Sequence, residues 1–285
     1  DYVLIFDADD RFEGNFVLPE ELTSDRYYLR MANSVTGANV YFRTLMFRND
    51  GSFYWRGVLH EFVEQRKKTV VEQKIFGDYY VISGRFGARS NNPQKYFQDA
   101  QVLEKAFNSP EDEDLKDRYA FYTAQSYRDA DMPEKAIEWY AKRANLGGWY
   151  EEVYYSLLQI ALLKIELNAP LDEVQNLLLA AYEYRPQRAE SLYHLARQLR
   201  FHNKARLAYI YATVAANIPL SKDILFVNHA VYEWKAKEEL AMSANSVGNY
   251  QLCHDLCVEL LFNPAVPEPN RKLLLDNLKL AKEYL

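Results

Sequence analysis

The sequence is short of cysteine, of glycine in its second part and of long apolar runs, and each shortage excludes something. Its 285 residues contain two cysteines, Cys253 and Cys257. They lie four apart on a predicted helix, where a disulfide along one face has poor geometry. Two thiols are also too few for a structural zinc site. Small buried thiols in a reducing compartment are what remains, and with them a cytoplasmic expectation. No stretch approaches the roughly 18–20 apolar residues that cross a bilayer. The chain opens without an initiator Met or a signal-peptide pattern. Basic charge is not in excess either, with 34 Lys+Arg against 40 Asp+Glu and a net charge of −6. Residues 1–97 balance at 13 of each sign, whereas residues 98–285 carry 21 basic and 27 acidic side chains. An acidic second part argues against a nucleic-acid partner.

What is present is ordinary in bulk, 49% hydrophobic and 26% charged, and long enough for two domains. Tyrosine is plentiful, with 23 copies, and supplies packing surface that keeps a polar tip in reach. Seven of the ten glycines precede residue 98. Between them lie short strand-like runs: Tyr27–Met31, Val40–Phe47, Phe53–Trp55, Thr69–Val71 and Tyr79–Ile82. This grammar predicts a mixed α/β region over residues 1–92, too short to be a complete α/β domain.

From about Pro93 the period becomes helical, and Lys95–Phe107 presents Phe97, Ala100, Val102, Leu103 and Ala106 to one side. Residues 93–285 then read as helix pairs. A repeat begun at Asp117 places Ala124, Tyr127, Ala136 and Tyr140 at its small and large positions. One begun at Ala189 places Leu192, Leu195, Ala196, Ala208, Ala212 and Ala215 there. A weaker copy spans Glu151–Pro186, with Pro170 opening its second helix, and a fourth runs from about Val231 to Pro264 with Ala241 and Cys253. Small residues let two antiparallel helices approach, and bulky ones fill the gap, as in the tetratricopeptide hairpin. The fold class predicted is α+β and mostly α. His194, His202, His229 and His254 read as structural histidines.

Three constellations bear on chemistry. Tyr2-Val-Leu-Ile-Phe runs into Asp7-Ala-Asp9-Asp10, and strand alternation would put Asp7 and Asp9 on one side, as hard oxygen ligands for Mn2+ or Mg2+. Phe53-Tyr-Trp-Arg-Gly57 leads into His60-Glu61, candidates to accept a proton from a hydroxyl. Without a second His, that pair is not the zinc-protease helix. Ser83-Gly-Arg85-Phe-Gly-Ala-Arg89 offers two arginines, four apart, for phosphate oxygens.

In this order the motifs resemble family 2 glycosyltransferases of the GT-A fold that carry a C-terminal tetratricopeptide-like extension. The likeness takes in the Asp-X-Asp motif and, further on, Arg118-Tyr-Ala-Phe-Tyr-Thr-Ala-Gln-Ser-Tyr127 and Arg188-Ala-Glu190-Ser-Leu-Tyr193-His194. It implies that residues 1–92 are the later part of a GT-A domain whose nucleotide-binding half precedes them. The reaction implied is metal-dependent, inverting transfer from a nucleotide-sugar donor to a hydroxyl of a glycan or protein acceptor. Asp7 and Asp9 would hold the metal, Glu61 beside His60 would be the base, and Arg85 and Arg89 would meet the diphosphate. This stretch alone is expected to be inactive. A departure is that Tyr79-Tyr-Val-Ile-Ser-Gly84 supplies no further His ligand. The rival reading is a non-catalytic tetratricopeptide-type module that binds a protein or peptide.

Overall fold

The computed structural model describes residues 1–32, 40–84 and 92–285. They are mostly helical and fall into two compact units, Asp1–Ala130 and Asp131–Leu285.

In the first unit the strands are β1 (Tyr2–Leu4), β2 (Arg11–Gly14), β3 (Arg26–Ala32), β4 (Val40–Arg48), β5 (Phe53–Arg56), β6 (Phe62–Gln65), β7 (Glu72–Lys74) and β8 (Tyr79–Ile82). Six of them form a sheet ordered β1-β4-β3-β8-β2, with β7 also on β3. β3 and β4 pair antiparallel along their length, from Arg26↔Phe47 to Ala32↔Val40. The other edge of β3 is divided, with β7 parallel to its first half and β8 parallel to its end. Alternation decides the core: Tyr27, Leu29 and Met31 are fully buried, and Tyr79, Val81 and Leu45 close over them.

β5 and β6 make a separate hairpin. It precedes α1 (Lys95–Phe107) and α2 (Lys116–Asp129), and its Leu59 and Phe62 pack on Leu103, Ala106, Leu115 and Tyr119 of that helical pair. The helices thus belong to the same unit as the strands, although the helical period begins near residue 93.

The second unit is all helix: α3 (Pro133–Leu146), α4 (Tyr150–Glu166), α5 (Leu171–Tyr184), α6 (Glu190–Phe201), α7 (Ala205–Asn217), α8 (Ala236–Ser246, entered by a π-helical turn at Val231–Lys235), α9 (Tyr250–Leu261) and α10 (Glu268–Lys282). Each packs on its neighbour in sequence, and α8 also touches α6 and α10. The helix boundaries follow from local chemistry. Pro133 starts α3 where no N–H is needed, and Gly147 ends it at φ +69°. Asn249 caps α9 by accepting the Leu252 N–H at 3.3 Å. Ala196, Ala208, Ala212, Ala241 and Cys253 are fully buried, as the hairpin pattern requires, and so are Ala124 and Tyr127 in the first unit. Here the chain builds a run of helices in which each packs on the next.

Candidate functional site

Asp7 and Asp9 lie in a turn beyond β1, closed by the Asp10 N–H on the Asp7 carbonyl at 3.0 Å. Alternation along an extended strand therefore does not set where their carboxylates point. Asp7 is exposed and stands 3.9 Å from Arg43. Gly84 comes so close under Asp9 that a Cβ there would lie 2.3 Å from the Asp9 carbonyl oxygen. The residue that sequence reasoning passed over is Asp10. Both its carboxylate oxygens are buried without a hydrogen-bond partner among the described residues. Among those residues no group of three or more His, Cys, Asp or Glu side chains comes together to hold a metal ion.

His60 and Glu61 belong to the β5–β6 hairpin, not to the sheet that carries Asp7 and Asp9. The connection is tight, with Gly57 at φ +95° and His60 at φ +53°. The His60 ring stacks on Tyr122 of α2 at 4.0 Å and 10°. Arg118 donates to the His60 carbonyl and lies over the rings of Tyr122 and Phe62. Glu61 is exposed. Arg56 binds Glu64 at 3.0 Å and Asp114 at 2.8 Å, which holds its guanidinium charged and the Asp114 carboxyl below its usual range. The hairpin tip is thus pinned to helices by stacking and ion pairs. Trp55 on β5 is half exposed. Beside the tip lies a cavity of about 240 Å³ lined by His60, Lys95, Asp99, Tyr122 and Gln125 among others. Arg85 and Arg89 lie outside the described residues.

The densest polar arrangement is in the second unit, around Arg188 and Glu190 at the start of α6. Arg188 meets Glu190 with Nη2–Oε1 at 2.8 Å and Nε–Oε2 at 3.0 Å. Glu190 also accepts from the Tyr232 hydroxyl at 2.8 Å and the Asn228 N–H at 3.1 Å. Burial, with the Glu190 charge, pushes the Tyr154 and Tyr232 hydroxyls well above the ordinary phenol range. Asp223 is held by Arg185 and Arg188. Burial works to raise its carboxyl, and the two guanidinium groups outweigh that and lower it. Glu151 on α4 accepts two successive backbone N–H groups, Ile224 at 2.8 Å and Leu225 at 2.7 Å. No short motif announces this cluster.

No protein-family model matches the chain, and no curated protein matches it. Solved structures similar to it include MamA, at 12% identity and a TM-score of 0.44, over 71% of this chain and 96% of that one. A putative kinesin light chain of Podosopora anserina with nearly identical TPR-like repeats is 16% identical at a TM-score of 0.43, over 59% and 85%. A thermophilic TPR protein of Thermus thermophilus is 14% identical at 0.42, over 65% and 91%.

The geometry corrects the glycosyltransferase resemblance. The enzyme's motifs are not assembled: the Asp pair sits in a turn beyond β1 and the His-Glu pair on a separate, helix-pinned hairpin. Linear order carried the resemblance, and order does not bring side chains together. The nucleotide-sugar donor falls with it. No helix among the described residues is long and apolar enough to cross a membrane.

Proposed function

We propose that the chain is a non-catalytic binding module whose helical hairpins take a protein or peptide partner. The observation that carries this is the run α3 to α10, in which each helix packs on the next around buried alanines. Such arrays bind along extended surfaces because each repeat adds contact area beside the last. A reducing, cytoplasmic setting is supported by the two cysteines, both free thiols and buried. The test is hydrogen exchange on the full chain with a partner captured by it. Slowed exchange in amides of α4, α6 and α8 is expected. Protection confined to residues 1–130 would sink the reading.

A second reading concerns only the turn Asp7–Asp10. The buried, unpartnered oxygens of Asp10 favour a divalent cation such as Mn2+ or Mg2+ there, with water completing the shell, since among the described residues Asp7 and Asp9 are not gathered with Asp10 into a three-carboxylate group. Mn2+ titration followed by paramagnetic broadening of the Asp7–Asp10 resonances tests it. No broadening at millimolar Mn2+ would remove it.

A further inference from the structure

The segment between α7 and α8 is bound by the rest of the second unit as if it were a peptide ligand. Its backbone is read in both senses. Glu151 accepts the N–H groups of Ile224 and Leu225, Arg188 donates to the carbonyls of Leu225 and Phe226 at 3.2 Å each, and Glu190 accepts the Asn228 N–H. Two side chains are read as well. The Asp223 carboxylate lies between Arg185 and Arg188, and the Phe226 ring packs on Tyr155 of α4 at 4.8 Å. Glu151 and Tyr155 are one helical turn apart and so share a face. Meanwhile Ile224 is 82% exposed and Phe226 53% exposed, so the segment lies on this surface and is not a strand of the core. Phe226 holds φ at +47°, a conformation a bulky residue adopts only when its surroundings impose it.

We propose that Glu151, Tyr155, Arg185, Arg188 and Glu190 form a receptor for an extended peptide bearing a carboxylate followed by apolar residues, occupied here in cis by Asp223–Asn228. A partner segment of the same pattern competes with the chain's own. The idea rests on the protein-binding reading and names the partner's chemistry. The backbone contacts accept any extended chain, whereas the two arginines select a carboxylate three residues before the aromatic side chain. The tethered segment has a high effective concentration, so an outside peptide binds weakly until the segment is loosened.

The experiment uses the full chain and a labelled peptide, Ser-Lys-Asp-Ile-Leu-Phe-Val-Asn, the sequence of residues 221–228. Asp223→Ala removes the carboxylate grip, and Ile224→Pro removes one N–H that Glu151 accepts, with every receptor side chain kept. Each variant is expected to bind the peptide about tenfold or more tighter than the unsubstituted chain, as release of a competing state requires. A peptide with its Asp changed to Ala should lose that gain. Absence of binding by either variant, both retaining native helical signal, overturns the proposal. Unfolding of both variants overturns it too, because the segment would then be integral and not displaceable. If a protein partner still protects α4 to α8 while the peptide fails, this inference falls alone and the binding-module reading stands.

Discussion

Arg188 and Glu190 stand two residues apart in sequence and face each other as an ion pair with no solvent exposure on the arginine side chain and 2% on the glutamate. A charge pair taken this far out of water is held together by its further partners, and here each ion has several. Removing one member strands the other. Arg188→Met is therefore expected to cost about 3–5 kcal/mol of stability, and the double variant Arg188→Met/Glu190→Met less than the sum of the two single changes. Urea unfolding of the four proteins measures both quantities. A cost below about 1 kcal/mol for Arg188→Met would show that the pair does not hold the start of α6.

The alanine crossings give an opposite kind of test. Ala208 and Ala212 are fully buried where α7 meets its neighbours, with no room for a longer side chain. Ala212→Leu should destabilise by about 1–3 kcal/mol through overpacking. Ile210→Ala, two residues away but half exposed, should change stability by about 0.5 kcal/mol or less. Equal costs at both positions, read from thermal unfolding, would refute the assigned crossing.

These crossings were legible because a helix pair needs a small residue wherever its axes approach, whatever else surrounds it. Ala196, Ala208, Ala241 and Cys253 therefore stood out by spacing alone, and α1 begins and ends at the predicted Lys95 and Phe107. Strand propensity was less reliable. Thr69–Val71 has the β-branched composition, yet pairing with β3 falls on Glu72–Lys74, because register is settled by the partner strand. β2 and β6 are short and polar and gave no alternation to read. The Arg188–Glu190–Asp223 cluster was invisible for another reason. Its partners lie up to 42 residues apart, and Glu151 reaches a loop 74 residues on. The Asp-X-Asp turn misled because its strand ends at Leu4, before the carboxylates whose direction alternation was to fix.

Two glycines in the left-handed region separate strain from collision. Gly14 has φ +82°, and a Cβ there would meet the Asp78 carbonyl oxygen at 2.3 Å. Gly51 has φ +74° with open space around it. Gly51→Ala should cost about 1 kcal/mol, the backbone penalty alone. Gly14→Ala should cost more, because the main chain of β8 must also shift. Denaturant midpoints decide the order. A reversal would mean that the β2–β8 pairing yields more easily than its register suggests.

Cys253 and Cys257 occupy successive turns of α9 and are both fully buried. Their mutual hydrogen bond lowers the Cys253 thiol and, together with burial, raises that of Cys257. Labelling by an aromatic disulfide reagent at pH 8 should be slow in the native protein, limited by opening of the helices, and complete in urea. Rapid native labelling of one thiol would contradict the burial.

His194 on α6 makes the acid limb of stability specific. Burial, then the charges of Arg197 and Lys235, lower its imidazole to about 4, with Glu190 pulling the other way. The usual value in the unfolded chain is about 6.5. Between those values the unfolded state binds more protons than the folded one, so stability rises with pH through this window. It is fully present above about pH 6.5 and lost as pH falls toward 4. The ring keeps some exposure, so the loss expected is on the order of 1–3 kcal/mol between pH 7 and pH 4. His194→Gln cannot take up that proton and should flatten this part of the profile while leaving the carboxylate-driven fall below pH 4. Unfolding midpoints at half-unit pH steps, wild type against variant, measure the difference. Parallel profiles between pH 4 and 6.5 would show that His194 titrates as an exposed side chain, with no burial to lower it.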